Sequence, residues 1–140
     1  MIAVANTYFQ ALQTRDPEFV VPSVRGCPRL ENGTKVTGRQ GPAPEGEEAV
    51  EFGRGDCTSG LHRMTQIAEV VERVFPVIDQ QAGVVLGRGV FNRPSGANRR
   101  DGTPWPRNYL MEYFTVDKGK ISGIFAVMHY LPPDDAGSSW

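Results

Sequence analysis

The chain has 140 residues, of which 39% are hydrophobic and 22% charged, and its net charge is −1. That length suits a single domain over residues 1–140 with one substantial core. The near-zero charge offers no electrostatic footprint for nucleic acid or an anionic membrane surface, and no apolar run approaches the roughly 20 residues that a bilayer-spanning helix needs.

The opening MIAVANTYFQ lacks the basic start and long apolar stretch of a secretory signal, so the cytoplasm is the expected compartment. Val4, Ala5, Tyr8, Phe9 and Leu12 recur at three- and four-residue spacing, predicting an amphipathic helix. Asp16-Pro17 reads as an N-cap followed by proline in the first helical position, predicting a second short helix through Phe19 and Val20 that Pro22 and Gly26 end. In CPRLENGTKVTG, residues 27–38, Asn32-Gly33 is a hairpin-turn dipeptide because both residues tolerate positive φ. Two readings stay open there: a surface turn between short strands, or Glu31 and Asn32 working as polar groups in a pocket.

Cys27 and Cys57 match no zinc spacing. They can form one disulfide or, in a reducing compartment, remain buried free thiols. No basic residue directly adjoins either cysteine in sequence, and both are expected to be dispensable for chemistry. Asn32-Gly33-Thr34 is a glycosylation sequon only in a secreted protein, and Arg54-Gly55-Asp56 reads as a chance tripeptide.

Gly38 to Glu48 reads as a flexible connector running into a helical turn at EEAVEF. Between residues 61 and 79, Met64, Ile67, Ala68, Val71, Val74 and Phe75 fit a helical stripe. Yet VFPVIDQQAGVVLG has a hairpin pattern and Pro76 forbids a helix through that point, so strands are predicted. The two glycines of VVLGRGVF point to a bend or a close backbone approach. NRPSGANRRDGTPWP is a long loop of the kind that carries binding residues. NYLMEYFTV and KISGIFAVMHYL form a hairpin closing on Asp117-Lys118-Gly119, and Ile124 to Met128 are apolar throughout, which predicts cover on both faces. Helices first and long antiparallel strands after them give an α+β layout.

TYFQALQTRDPE, the polar pair in LENG and EYFTVDKGKI together resemble the superfamily of nuclear transport factor two, ketosteroid isomerase, scytalone dehydratase, limonene epoxide hydrolase and the SnoaL-like polyketide cyclases. From CPRLENG through FPVIDQQAGVV to LPPDDAGSSW the chain also resembles a narrower group of uncharacterised fungal and bacterial members. The resemblance implies a cone-shaped barrel, a strongly curved antiparallel sheet wrapped around N-terminal helices. In ketosteroid isomerase a tyrosine and a protonated acid hold an enolate oxygen while a third carboxylate moves the proton. Tyr8 matches the tyrosine and Glu112 the protonated acid. The base position falls on Asn32, whose amide cannot act as a base, with Glu31 beside it. His62 is a further candidate because dehydratases of this fold use histidines on central strands.

Strand alternation puts Leu110, Glu112 and Phe114 inward, with Ile124, Ala126 and Met128 facing them. Phe125, Val127 and His129 then face out, a set apolar enough to predict a homodimer or higher oligomer. The substrate-contact candidates are Phe114, Ile124, Met128, Trp105 and Phe91. The implied function is a cofactor-independent acid/base lyase or isomerase for a small apolar aromatic, polyketide or terpenoid compound. No cofactor, metal, nucleic acid or membrane is expected. Two alternatives stand beside it: a non-catalytic binding or interaction module, and Glu112 as a surface residue paired with Lys120 or Arg107.

Overall fold

The computed structural model describes residues 1–38 and 55–131. The expected helical turn at EEAVEF, most of the Gly38–Glu48 connector and the tail beyond Leu131 lie outside the described residues. Helix α1 spans Ile2–Thr14 and buries Ala5, Tyr8, Phe9, Ala11 and Leu12 on one face. It stops where Arg15 turns left-handed at φ 53° and its N–H caps the Ala11 carbonyl.

The predicted second helix does not form. Asp16 instead closes a tight turn, its Oδ1 accepting from Glu18 N at 2.9 Å and its carbonyl from Phe19 N at 3.1 Å. Val20, Val21 and Pro22 follow at once, two β-branched residues and one without an N–H, and this cannot sustain further helical turns.

Strands β1 (Arg29–Glu31), β2 (Thr34–Lys35), β3 (Glu69–Asp79), β4 (Val84–Asn92), β5 (Arg107–Asp117) and β6 (Lys120–Leu131) make one curved sheet in the order β2-β1-β6-β5-β4-β3. The α+β class and the helix-in-curved-sheet arrangement are as the resemblance implies, with two corrections. The sheet is mixed, because β1 runs parallel to β6, and it is open, with β2 and β3 as its edges. The parallel pairing follows from the path out of α1: Ser23 bridges Ile121, and the chain then runs alongside β6 instead of folding back on it.

The segment ambiguous in sequence resolves into a short 3-10 turn at Leu61–Arg63 followed by β3, and Pro76 sits in that edge strand, the part of a sheet that tolerates proline. Irregular register in β3 accompanies Glu72 at φ 52°. Asn32-Gly33 and Lys118-Gly119 close their hairpins with positive φ at both residues, as the turn dipeptides predict.

The helix lies close against the sheet. A Cβ on Gly87 would stand 3.0 Å from the Phe9 ring and 3.2 Å from both Phe75 and Phe114, so the glycine is what lets β4 approach α1. The core is Phe9, Leu12, Ile67, Val85, Leu110, Phe114, Ile121 and Ile124, all but excluded from water. On β6 only the inner face is covered by the chain itself, since Phe125 and Val127 are exposed.

Candidate active site

Three adjacent strands place two acids on one row. Glu31 of β1 pairs in register with Ala126 of β6, and Ala126 pairs with Glu112 of β5. The two carboxyl-bearing residues thus stand two strand spacings apart, about 10 Å at Cα. Small residues continue the row, Ala126 between the acids and Gly87 beyond Glu112, where the Phe9, Phe75 and Phe114 rings close over the glycine. A cavity of about 190 Å³ is walled by Tyr8, Leu12, Ile67, Phe91, Asn108 and Met128 as well as by the two acids.

Arg29 ties the polar groups together. It shares the inner face of β1 with Glu31, two residues on, and is wholly buried. Its Nη1 donates to Tyr8 Oη at 3.2 Å and to the Cys57 carbonyl at 3.3 Å, and its Nε forms an ion pair with Glu31 Oε1 at 3.3 Å. Its own backbone N–H donates to Thr37 Oγ1 at 2.9 Å.

Glu112 is buried, and its Oε2 has no hydrogen-bond partner. Burial is the main cause that lifts its pKa to about 8; the Arg29 charge pulls down, the Glu31 charge pushes up, and the Tyr8 hydroxyl pulls down. Glu112 is therefore a neutral acid at pH 7. Burial and the negative charge of Glu112 push the Tyr8 phenol up as well, against the pull of Arg29, so Tyr8 keeps its proton. For Arg29, burial opposes its charge, but Tyr8, Glu31 and Glu112 outweigh it and raise the pKa.

Other predicted residues fall elsewhere. Asn32 sits in the hairpin turn, its Oδ1 accepting from Met128 N at 2.8 Å and its Nδ2 donating to Met128 O at 3.4 Å; it clips β1 to β6 and does not line the cavity. His62, on the 3-10 turn, lines a separate recess with Asp16, Pro17 and Phe19, and its Nε2 accepts from Arg63 Nε at 3.3 Å. Phe114 and Ile124 are in the core, Phe114 meeting the Tyr8 ring edge-on at 5.6 Å, while Phe91, Trp105 and Met128 do line the cavity.

Sequence reasoning missed Arg29, Arg93 and Asn108. Arg29 was findable, because alternation in Arg29-Leu30-Glu31 puts any inward Glu31 on the same face as the arginine. Arg93 carried no such signal, since it lies in the glycine- and proline-rich loop. Among the described residues no group of His, Cys, Asp or Glu is placed to hold a metal ion.

Cys27 and Cys57 form a disulfide with Cα atoms 5.2 Å apart, closing 30 residues of chain. Neither sulfur faces the cavity, whose walls exclude both residues. Replacing both with serine should cost about 3 to 4 kcal/mol of stability by the loop-entropy relation. Turnover per folded molecule should survive; chemical denaturation and activity assays on the double variant check the two halves separately.

The family profile described as "Domain of unknown function (DUF8021)" matches residues 1–128. No curated protein matches the sequence significantly. Solved structures share the fold at low identity. IdmH from Streptomyces antibioticus, described provisionally as a polyketide cyclase, is 14% identical with a TM-score of 0.56, over 91% of this chain and 90% of that one. An LEH-like epoxide hydrolase from M. tuberculosis is 16% identical with a TM-score of 0.53, over 91% of this chain and 81% of that one. A protein from Sphaerobacter thermophilus is 14% identical with a TM-score of 0.53, over 94% and 95% of the two chains. The chain thus shares its fold with these proteins.

Proposed function

The chain belongs to the domain-of-unknown-function family DUF8021, and from its site we propose that it is a cofactor-independent acid/base enzyme acting on a small, mostly apolar cyclic compound. One observation carries the reading: a buried, neutral Glu112 whose Oε2 is left without a partner beside a cavity. A buried carboxyl costs free energy unless something hydrogen-bonds to it, and a substrate oxygen supplies that partner.

The reaction supported best is proton removal next to a carbonyl, as in isomerisation, dehydration or cyclisation. Glu31, held by Arg29, takes the proton from carbon. Glu112 donates its proton to the substrate oxygen as negative charge develops there, and the Tyr8 hydroxyl, hydrogen-bonded to Glu112, holds that acid in place. Arg29 orients Tyr8 through the Nη1–Oη bond and anchors Glu31 through its Nε. A depletion screen of small cyclic ketones with wild-type protein and Glu112→Gln side by side tests the reading. Consumption of no candidate by wild type, or equal consumption by both proteins, defeats it.

The outer sheet face supports self-association. Tyr113 pairs with Phe125 and Met111 with Val127 across β5 and β6, and all four are exposed on the single chain. Four large apolar side chains in one block favour a homodimer through this face. Val127→Glu would put an unpaired charge into that contact and should shift the protein toward monomer in sedimentation or light scattering; an unchanged oligomer would move the contact elsewhere. No helix among the described residues is long and apolar enough to cross a membrane. The Cys27–Cys57 bridge favours an oxidising compartment over the cytoplasm that the sequence led us to expect.

A further inference from the structure

We propose that the mouth of the cavity is a carboxylate-binding site, with Arg93 as its charge partner and Trp105 as its wall, so that the substrate is a small cyclic carboxylic acid whose ring enters the cavity. The inference rests on the cavity being the substrate site, and it adds the substrate's charge.

Arg93 is held rigidly and only by neutral groups. Its Nε donates to the Pro106 carbonyl at 2.9 Å, Nη1 to the Gln66 carbonyl at 3.0 Å and Nη2 to Asn108 Oδ1 at 2.7 Å. A guanidinium has five N–H donors, so Nη1 and Nη2 each keep an N–H beyond these bonds as a donor for a carboxylate oxygen. Among the described residues no carboxylate lies within 4.0 Å of the Arg93 guanidinium.

A second cation raises the local potential. Arg93 and Arg99 lie over the Trp105 ring at 5.4 Å and 5.3 Å from its centroid. Burial pulls the Arg93 pKa down, Tyr130 raises it and Arg99 lowers it again. A half-buried cation that water solvates poorly and another cation repels is relieved by an arriving anion.

The space fits a ring with a polar appendage. The inner cavity, about 190 Å³, is close to the roughly 150 Å³ apolar cavity that accepts benzene. Arg93 and Trp105 belong equally to an outer groove of about 630 Å³ that also takes in Asn92, Arg107 and Glu69. Glu69 Oε2 there is engaged by Asn92 Nδ2 at 3.4 Å. The guanidinium thus stands at the junction, where a group attached to a ring in the cavity would emerge. Inside, Glu112 is neutral and Glu31 is paired with Arg29, so the interior does not repel the anion.

Benzoate and benzyl alcohol are probes of nearly equal shape that differ in charge. Titrated at pH 7 against Trp140→Phe protein, leaving Trp105 as the only tryptophan, they should both change its fluorescence. Benzoate should bind tighter by about tenfold or more, the size of a charge-assisted hydrogen bond. Added salt should weaken benzoate and leave benzyl alcohol unchanged. Arg93→Gln should remove the preference; if that variant fails to fold, Arg99→Gln with the salt series still reads the charge contribution, and a preference unmoved by both overturns the site. Equal affinities, or no binding of either probe, overturn it too. Glu112→Gln protein should keep the benzoate preference, so failure of the proton chemistry and failure of this site give different results.

Discussion

Arg29→Met should be among the most destabilising single substitutions in the molecule, costing about 3–5 kcal/mol in urea unfolding, the usual loss when one partner of a buried ion pair is removed. The guanidinium is fully buried, and its removal takes a donor from Tyr8 Oη and the Cys57 carbonyl and the charge partner from Glu31 at once. Methionine restores the volume without restoring a donor. Arg29→Lys should recover part of the loss, because an ammonium on a flexible stem keeps the charge but cannot reach three acceptors in one planar arrangement. The folded fraction of Arg29→Met should also show a displaced pH profile. The Arg29 charge holds the Glu112 pKa down, so without it that pKa rises above about 8 and the alkaline loss of activity moves to higher pH. A variant as stable as wild type with an unmoved alkaline limb would mean that Arg29 does not organise this site.

Arg29 also marks where sequence reading ran out. The helix over Ile2–Thr14, the β3–β4 and β5–β6 hairpins and both positive-φ turns were legible because periodicity and turn dipeptides are local signals. The parallel β1–β6 pairing was not, because it depends on where residues 16–28 run after the helix, and nothing local encodes that path. The second helix failed for a related reason: Asp16-Pro17 is as good a turn opening as a helix start, and the residues that follow decide between them. For the site, alternation from Glu112 correctly oriented Phe114 and Ile124 inward, but inward meant core for those two and cavity for Met128. The difference is position along the strands, with Phe114 and Ile124 packed under the helix and Met128 nearer the open end.

The disulfide and the acid cluster share one piece of backbone. Cys57 N donates to the Cys27 carbonyl at 2.8 Å while the Cys57 carbonyl accepts from Arg29, so the bridge fixes the strand of chain that caps the guanidinium. The bridge lies outside the cavity wall yet is adjacent to the acid cluster in structure. Stability lost on removing the bridge and stability lost on removing Arg29 should for that reason be less than additive.

Glu112→Gln should lower turnover by about a hundred- to a thousandfold while making the protein more resistant to unfolding at alkaline pH. Glutamine keeps the shape and one donor but has no acidic proton to give the substrate oxygen. On the proposed mechanism the acid form is the active one, so activity should hold below the Glu112 pKa of about 8 and fall above it. The stability effect has the opposite sense. The folded-state pKa is raised above the ordinary glutamate value, so between that value and about 8 the native state keeps a proton that the unfolded chain releases. Native stability is therefore fullest below the ordinary glutamate pKa and declines as pH rises toward about 8, where Glu112 must either ionise in its apolar site or force the equilibrium toward the unfolded chain. Glutamine titrates in neither state and removes that decline. Urea midpoints measured from pH 5 to pH 9 should thus converge at the acid end and separate in favour of Glu112→Gln at the alkaline end. Glu112→Ala, by contrast, opens a cavity in a buried site and should be less stable than Glu112→Gln at every pH. A Glu112→Gln protein that lost activity without gaining alkaline stability would place the proton on another group, whereas one that gained stability and kept full turnover would leave Glu112 as a buried acid with no part in the chemistry.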